Sequence, residues 1–321
     1  MRIIYCLLYL SCFLSKNVFA QNTYDDVAAS FELDSITIYA VDQGKLDPRD
    51  FIRYTLEDTS MFYGFSLIHT VSNTLDLEAQ VYGKRKRKGF IKRRYFQQFC
   101  RGCLSQKEVT VDSSGYFLDK KGQPISTTYQ TMMQLFTHKG TICNIKIPAP
   151  PKGTIILDKP KDLKQQRELI KRFIFAPQSI SIDVPFFGNK MKTNIFEKPT
   201  SDFYNFRVGY GFDGDIPVYH FDIIVDSANH PNWQKSVLIK SMQITFRADD
   251  LAIIGKSYQL YYPGLFVSCD LSLSIRMQQF GKNLFPLDIH YNGEWKFPTQ
   301  GKDKADIKLH FSNLSKESCN Q

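Results

Sequence analysis

Between Leu265 and Met277 every second residue is apolar: Leu265, Val267, Cys269, Leu271, Leu273, Ile275 and Met277 share one parity, while Ser268, Asp270, Ser272, Ser274 and Arg276 lie between them. Side chains on a strand alternate sides with a period of two, so this is a long strand with one wet and one buried face. The pattern repeats on both sides. Met242, Ile244 and Phe246 alternate with polar residues, Ser257 to Tyr262 runs into the turn pair Pro263-Gly264, and Leu287, Ile289, Tyr291, Trp295 and Phe297 share a parity. Ala305, Ile307, Leu309 and Phe311 form a last strand behind the polar turn Thr299 to Lys304. Strands this close in sequence pair as an antiparallel meander, and its apolar face requires a cover.

The remainder of the chain supplies more strands and two helices. Leu75, Leu77, Ala79 and Val81 alternate with polar residues; Glu108 to Val111 and Ser114 to Leu118 read as a strand or a hairpin around Asp112-Ser113. Ile180 to Phe187, Tyr204 to Phe212 and Tyr219 to Val225 follow. Asp47 before Pro48 is a preferred helix start, with Phe51, Ile52 and Leu56 as its apolar stripe to about Asp58. A second helix is expected over Lys161 to Phe175, between Pro160 and Pro177. Residues 21–46 read as an extension with one short strand, Ser35 to Ala40, and 47–321 as a single sheet domain with about ten strands and two or three covering helices.

Arg2, the apolar run Ile3 to Leu14 and Val18-Phe19-Ala20 together read as an export signal over residues 1–20. A membrane anchor needs about 20 apolar residues, and Lys16 and Asn17 interrupt this run first. The formal net charge of +9 is concentrated in Lys84, Arg85, Lys86, Arg87, Lys88, Lys92, Arg93 and Arg94. In an exported chain this cluster, at a strand end or hairpin tip, points to anionic membrane or an acidic envelope partner and not to nucleic acid. The alternative is a solvated edge whose lysines block strand pairing.

Several short segments carry a resemblance. Phe31 to Ala40 followed by the Pro48 helix resembles the junction after a carboxypeptidase-regulatory-like domain in Bacteroidota outer-membrane-associated proteins, and Leu75 to Tyr82 with Gly83 and its basic tail looks like their next segment. Phe203-Tyr204-Asn205-Phe206, Asp213-Gly214, Tyr219 to Val225 and Phe285 to Tyr291 look like their soluble sheet region. That region is similar in strand pattern to lipoprotein-sorting carriers of the LolA type, whose incomplete antiparallel barrel is lidded by helices. The resemblance implies a mainly β, half-barrel, cell-envelope protein that handles lipid or lipoprotein. A complete regulatory-like domain and a following membrane barrel are both missing from the pattern.

Five cysteines follow the leader: Cys100, Cys103, Cys143, Cys269 and Cys319. An oxidising compartment favours pairing, and the odd count leaves one over. Cys100-Arg101-Gly102-Cys103 is either a local or structural disulfide element or a redox dithiol; the latter requires a helix N-terminus at the first cysteine, and a polar turn and strand follow instead. His138 and Cys143 are the nearby residues that zinc could add. Asp213 and Asp215 around Gly214, and Asp249-Asp250, read as turn formers before calcium or acid/base pairs. No G-x-S-x-G, H-E-x-x-H, P-loop or dinucleotide turn occurs, so no catalytic residue, metal or cofactor is assigned.

Asn292-Gly293 marks a hairpin or a strand kink, and curvature is what a half-barrel requires. The candidate ligand-binding residues are Phe246, Tyr258, Leu273, Tyr291, Trp295 and Phe297, joined by Phe311, on the concave face of the sheet. Their alternative role is core packing.

Overall fold

A computed structural model describes residues 24–82, 88–120, 122–147, 155–156, 180–181, 194–263, 268–297, 301–316 and 319. The expected leader 1–20, the cations Lys84 to Arg87 and the helix expected at 161–175 lie outside these residues, as does the side chain of Phe297.

The expected mainly β architecture is present as one 12-stranded sheet. Its strands are β1 (Glu32–Leu33), β2 (Ser72–Tyr82), β3 (Lys88–Cys100), β4 (Cys103–Gly115) and β5 (Thr141–Cys143), then, beyond a separate parallel pair β6 (Ile155–Ile156) and β7 (Ile180–Ser181), β8 (Tyr204–Asp213) and β9 (Ile216–Val225). The set ends with β10 (Ile239–Arg247), β11 (Ile253–Tyr262), β12 (Ser268–Phe280), β13 (Asn283–Phe297) and β14 (Gly301–Ser315). The spatial order is β1-β8-β9-β10-β11-β12-β13-β14-β2-β3-β4-β5. Only β1 with β8 is parallel within it.

Alternation decides which face is inward. On β12, Cys269, Leu271, Leu273, Ile275 and Met277 are buried, and the registers connect such residues into transverse rows. One row crosses eight strands as Phe221, Ile244, Lys256, Ile275, Ile289, Leu309, Leu77 and Arg93. The next reads Ile223, Met242, Tyr258, Leu273, Tyr291, Ile307, Ala79 and Ile91. The opposite face is a charge ladder: His310 contacts Asp288 at 2.7 Å, His290 contacts Asp306 at 2.9 Å, and Arg276 bridges Asp213 and Asp288. These exposed pairs contribute little to stability individually; they keep that face wet.

Besides a short helical run over residues 24–28, the helices that accompany the sheet include α1 (Ser35–Asp42), α2 (Pro48–Glu57), α3 (Ser60–Leu67) and α4 (Thr127–Phe136). The α2 start is as expected, with Asp47 accepting from the Arg49 amide. The strand expected at Ser35 to Ala40 is instead α1. Asp34 caps it by accepting from the Thr37 amide at 2.7 Å, and its other oxygen accepts from the Tyr210 amide, tying the helix to β8. A local side-chain cap outweighs the β-preference of Ile36, Thr37 and Ile38 here. Nor does a hairpin form at Asp112-Ser113: β4 runs through to Gly115, whose φ of 69° places the turn there.

Candidate functional site

Three short helices roof the inner face. Phe51 of α2 makes edge contacts with Tyr219 (5.7 Å between centroids) and Phe246 (5.2 Å) on β9 and β10. Gly64 lets α3 approach β13 so closely that a Cβ there would stand 2.5 Å from the Leu284 carbonyl oxygen. On α4, Phe136 packs on Phe65 and Phe311, both at 5.7 Å. Asp303 of β14 accepts from the Thr128 amide (2.8 Å) and hydroxyl (3.0 Å), fixing the start of α4 to the sheet. Helices of 8 to 10 residues are marginal alone, so these seams hold them.

The candidate ligand-binding residues are distributed unevenly beneath this roof. Tyr258, Leu273 and Tyr291 are consecutive in one row, on adjacent strands. Trp295, half-buried, lies four residues along β13 from Tyr291 and donates its indole N–H to the Tyr291 hydroxyl at 2.9 Å. Phe246 lies apart, on β10 under α2, and is fully buried. Tyr258, Leu273 and Tyr291 are no more than 5% exposed. Burial pushes the phenol of Tyr258, and that of Tyr291, above the ordinary tyrosine value.

Asn292-Gly293 produces neither a hairpin nor a bulge: β13 keeps register with β12 from Asp288 to Lys296 and with β14 from Asp288 to Phe297, and its register shift against β12 falls at Leu287 instead. Glycine is required there for room. A Cβ at 293 would meet Leu271 Cβ at 2.5 Å and the Tyr291 hydroxyl at 2.6 Å. The missing side chain makes space for the Tyr291 ring to reach Trp295.

Two inward cations were overlooked in the strand pattern. Lys256 occupies the apolar parity of β11 with Tyr258 and Leu260, between Ile244 and Ile275, and is 6% exposed. Burial pushes its amine down to about 8, partly offset by Asp58 at the junction of α2 and α3. The signal was available: a lysine interrupts the same-parity run Ile254, Tyr258, Leu260. Arg93 likewise leaves the basic cluster, turning inward to pair with Glu108 at 3.1 Å, because it falls in the row of Leu77 and Leu309. Arg94 pairs with Asp76 at 2.6 Å on the outer face, while Lys88 and Lys92 are exposed on β3.

The Cys100-x-x-Cys103 motif is a two-residue turn joining β3 to β4. Arg101 and Gly102 both have positive φ (48° and 74°) and the two cysteines are register partners, the geometry of a tight hairpin. Neither thiol is free. Cys100 is bonded to Cys319 and Cys103 to Cys143, so the disulfide expectation is met by two long-range bonds and not by a local one. Cys143 is the register partner of Cys103 on β5, a neighbour that spacing could not reveal. That bond removes Cys143 as a zinc ligand. Cys269, buried and unbonded, has its thiol raised to about 12 by burial.

Among the described residues, hollows of about 380 and 210 Å³ open on the polar outer face, one floored by Asp270, Asn292 and Glu294 and the other by Glu78, Gln80 and Asp306. Neither reaches the aromatic row.

No protein-family model matches the chain, and no curated protein matches it. Among solved structures it is similar to a LolA superfamily protein from Nitrosomonas europaea, 7% identical, covering 84% of this chain and 94% of that one, with a TM-score of 0.23. A putative outer membrane lipoprotein-sorting protein domain from Vibrio parahaemolyticus is 8% identical over 76% and 84%, with a TM-score of 0.23. A DUF1329 family protein from Desulfovibrio piger is 11% identical over 78% and 90%, with a TM-score of 0.20. The likeness is too slight to carry over a ligand or a role.

Proposed function

We propose that the chain is an exported, non-catalytic carrier that holds an acyl chain, free or on a lipidated protein, between the inner face of its sheet and the helices α2 to α4. The supporting observation is the apolar inner face of the sheet, covered by three helices of 8 to 10 residues that are marginal alone. Burying an acyl chain contributes about 0.8 kcal/mol per methylene, enough for tight binding without a catalytic group. Two disulfides fit an oxidising, extracytoplasmic compartment, and the basic sequence from Lys84 to Arg94 supplies an attraction for anionic membrane.

A second reading is an envelope interaction protein with a permanently packed core. The seating of Phe51 against the fully buried Phe246 favours it. Native mass spectrometry of the protein, purified without detergent after export from a bacterial host, separates the two. A co-purifying lipid mass, or uptake of added fatty acid or lipopeptide, is the expected result; a clean protein mass with no uptake overturns the carrier and leaves the packed core.

A further inference from the structure

We propose that the end of the sheet away from the two disulfides is a docking surface for an anionic bilayer, formed by lysines of β3, β13 and β14 around Tyr82 together with the exposed side chains of Tyr116 and Leu118. The proposal rests on the attraction for anionic membrane read from Lys84 to Arg94, extends it to segments outside that run, and is independent of what the interior holds.

Register gathers these residues. Lys304 near the start of β14 stands opposite Tyr82 at the end of β2, and Tyr82 stands opposite Lys88 at the start of β3. The ammonium groups of Lys304 and Lys88 lie 5.4 and 5.5 Å from the centre of the Tyr82 ring, so two cations share one aromatic. Nearer the turn between β13 and β14, the exposed Lys296 and Lys302 face one another across the two strands, and Lys302 reaches Glu294 at 2.6 Å. Asp270 and Glu294 make the row acidic toward β12; toward β3 it is cationic. At the same end β4 stops at Gly115, opposite Gly89. The chain then crosses over Gly89, where a Cβ would stand 2.5 Å from the Phe117 backbone, and the Tyr116 amide donates to the Lys88 carbonyl at 2.9 Å. Phe117 turns in against Tyr129, which leaves Tyr116 58% and Leu118 46% exposed, with Lys120 exposed two residues on. Asp119 between them accepts from the Gln123 amide.

Two features select a bilayer over an acidic protein. Among the described residues the cations of this end are lysines, which protein interfaces are depleted in, whereas arginine is enriched there. A tyrosine and a leucine also stand exposed beside them. Aromatic rings favour headgroup depth, and basic side chains near the surface are attracted to anionic heads.

The test is sedimentation of the full, exported chain with vesicles of phosphatidylcholine alone or mixed with phosphatidylglycerol, using variants that leave residues 84–88 unchanged. The natural protein is expected to bind only the mixed vesicles. Lys296→Gln, Lys302→Gln and Lys304→Gln combined should weaken binding about tenfold or more, while the same three positions changed to Arg should retain it, which separates charge from fold. Tyr116→Ser with Leu118→Ser should weaken binding severalfold and leave its salt dependence unaltered. Tyr116→Trp should add fluorescence that acyl-brominated phosphatidylglycerol vesicles quench, beyond the quenching seen in the natural protein. Binding unchanged by the glutamine variant overturns the docking surface and leaves the attraction of residues 84–94 standing. Weakening by glutamine with no effect of the serine pair and no added quenching overturns the bilayer as occupant and assigns the lysines to a soluble acidic partner. Failure of the natural protein to bind the mixed vesicles overturns the membrane reading as a whole.

Discussion

Cys100 and Cys103 face one another across a two-residue turn, yet each is bonded to a different distant cysteine. One bond fastens the end of β3 to Cys319 beyond β14, and the other fastens β4 to the short edge strand β5. The motif is a clamp at one end of the sheet. Peptide mapping under non-reducing conditions should therefore recover 100–319 and 103–143 linkages. Cys319→Ser should cost roughly 2–4 kcal/mol of stability and leave Cys103–Cys143 intact; recovery of a 100–103 linkage from the natural protein contradicts the arrangement.

Gly293→Ala tests the close packing beneath β13. Its new methyl collides with Leu271 Cβ, which is carried on a backbone paired on both sides, and with the Tyr291 hydroxyl. A loss of about 1–3 kcal/mol is expected in urea denaturation, together with a changed fluorescence of Trp295 as its bond to Tyr291 is broken. An unperturbed midpoint contradicts the packing.

Lys256 also sets a pH dependence. Its amine releases its proton near pH 8 when folded and near 10.5 when unfolded, so between those values the unfolded chain binds more protons and stability rises with pH. Below about 8 the penalty is present in full, about 3 kcal/mol. The raised phenols act in the other direction above pH 10, where unfolded tyrosines ionise first. Stability measured from pH 8 to 9.5 should rise in the natural protein and stay flat in Lys256→Met, which should be the more stable of the two at pH 7. Parallel curves contradict a buried amine.

Neutralising Lys84, Arg85, Lys86, Arg87 and Lys88 to glutamine addresses the remaining concentration of charge. Each basic residue near an anionic surface contributes about 1 kcal/mol. Sedimentation with phosphatidylglycerol vesicles should fall steeply and lose its salt dependence in the variant. Equal binding of both proteins removes any membrane role from these residues.

The sheet was legible because alternation survives in it. Cys269 to Met277 and Ala305 to Phe311 fall on the inner face as their parity requires. Helix α1 was not, since Ile36, Thr37 and Ile38 favour extended backbone until Asp34 engages both Thr37 and Tyr210, the latter far along the chain. The roof was half legible: Asp47-Pro48 announces α2, whereas α3 has no side-chain bond from its N-cap residue Thr59, and α4 is capped by Ser126, which accepts from the Tyr129 amide, and fixed to β14 through Asp303. Of the site, three aromatic-row members could be read together, but the row itself is a property of register between strands. Lys256 stood visibly out of pattern and acquires meaning only once Ile244 and Ile275 flank it.

The position of β14 governs how the molecule can be assembled. It joins β13 on one side to β2 on the other, so the meander β8 to β13 and the hairpin β2–β3 have no shared edge before residues 301–315 are in place. Chain synthesis proceeds from the N-terminus, which leaves two unpaired sheet edges waiting for β14, the last made of the described strands. During that interval the chain is a template for edge-to-edge association. The Cys100–Cys319 bond joins the end of β3 to a cysteine beyond β14, so it closes only after that wait has ended.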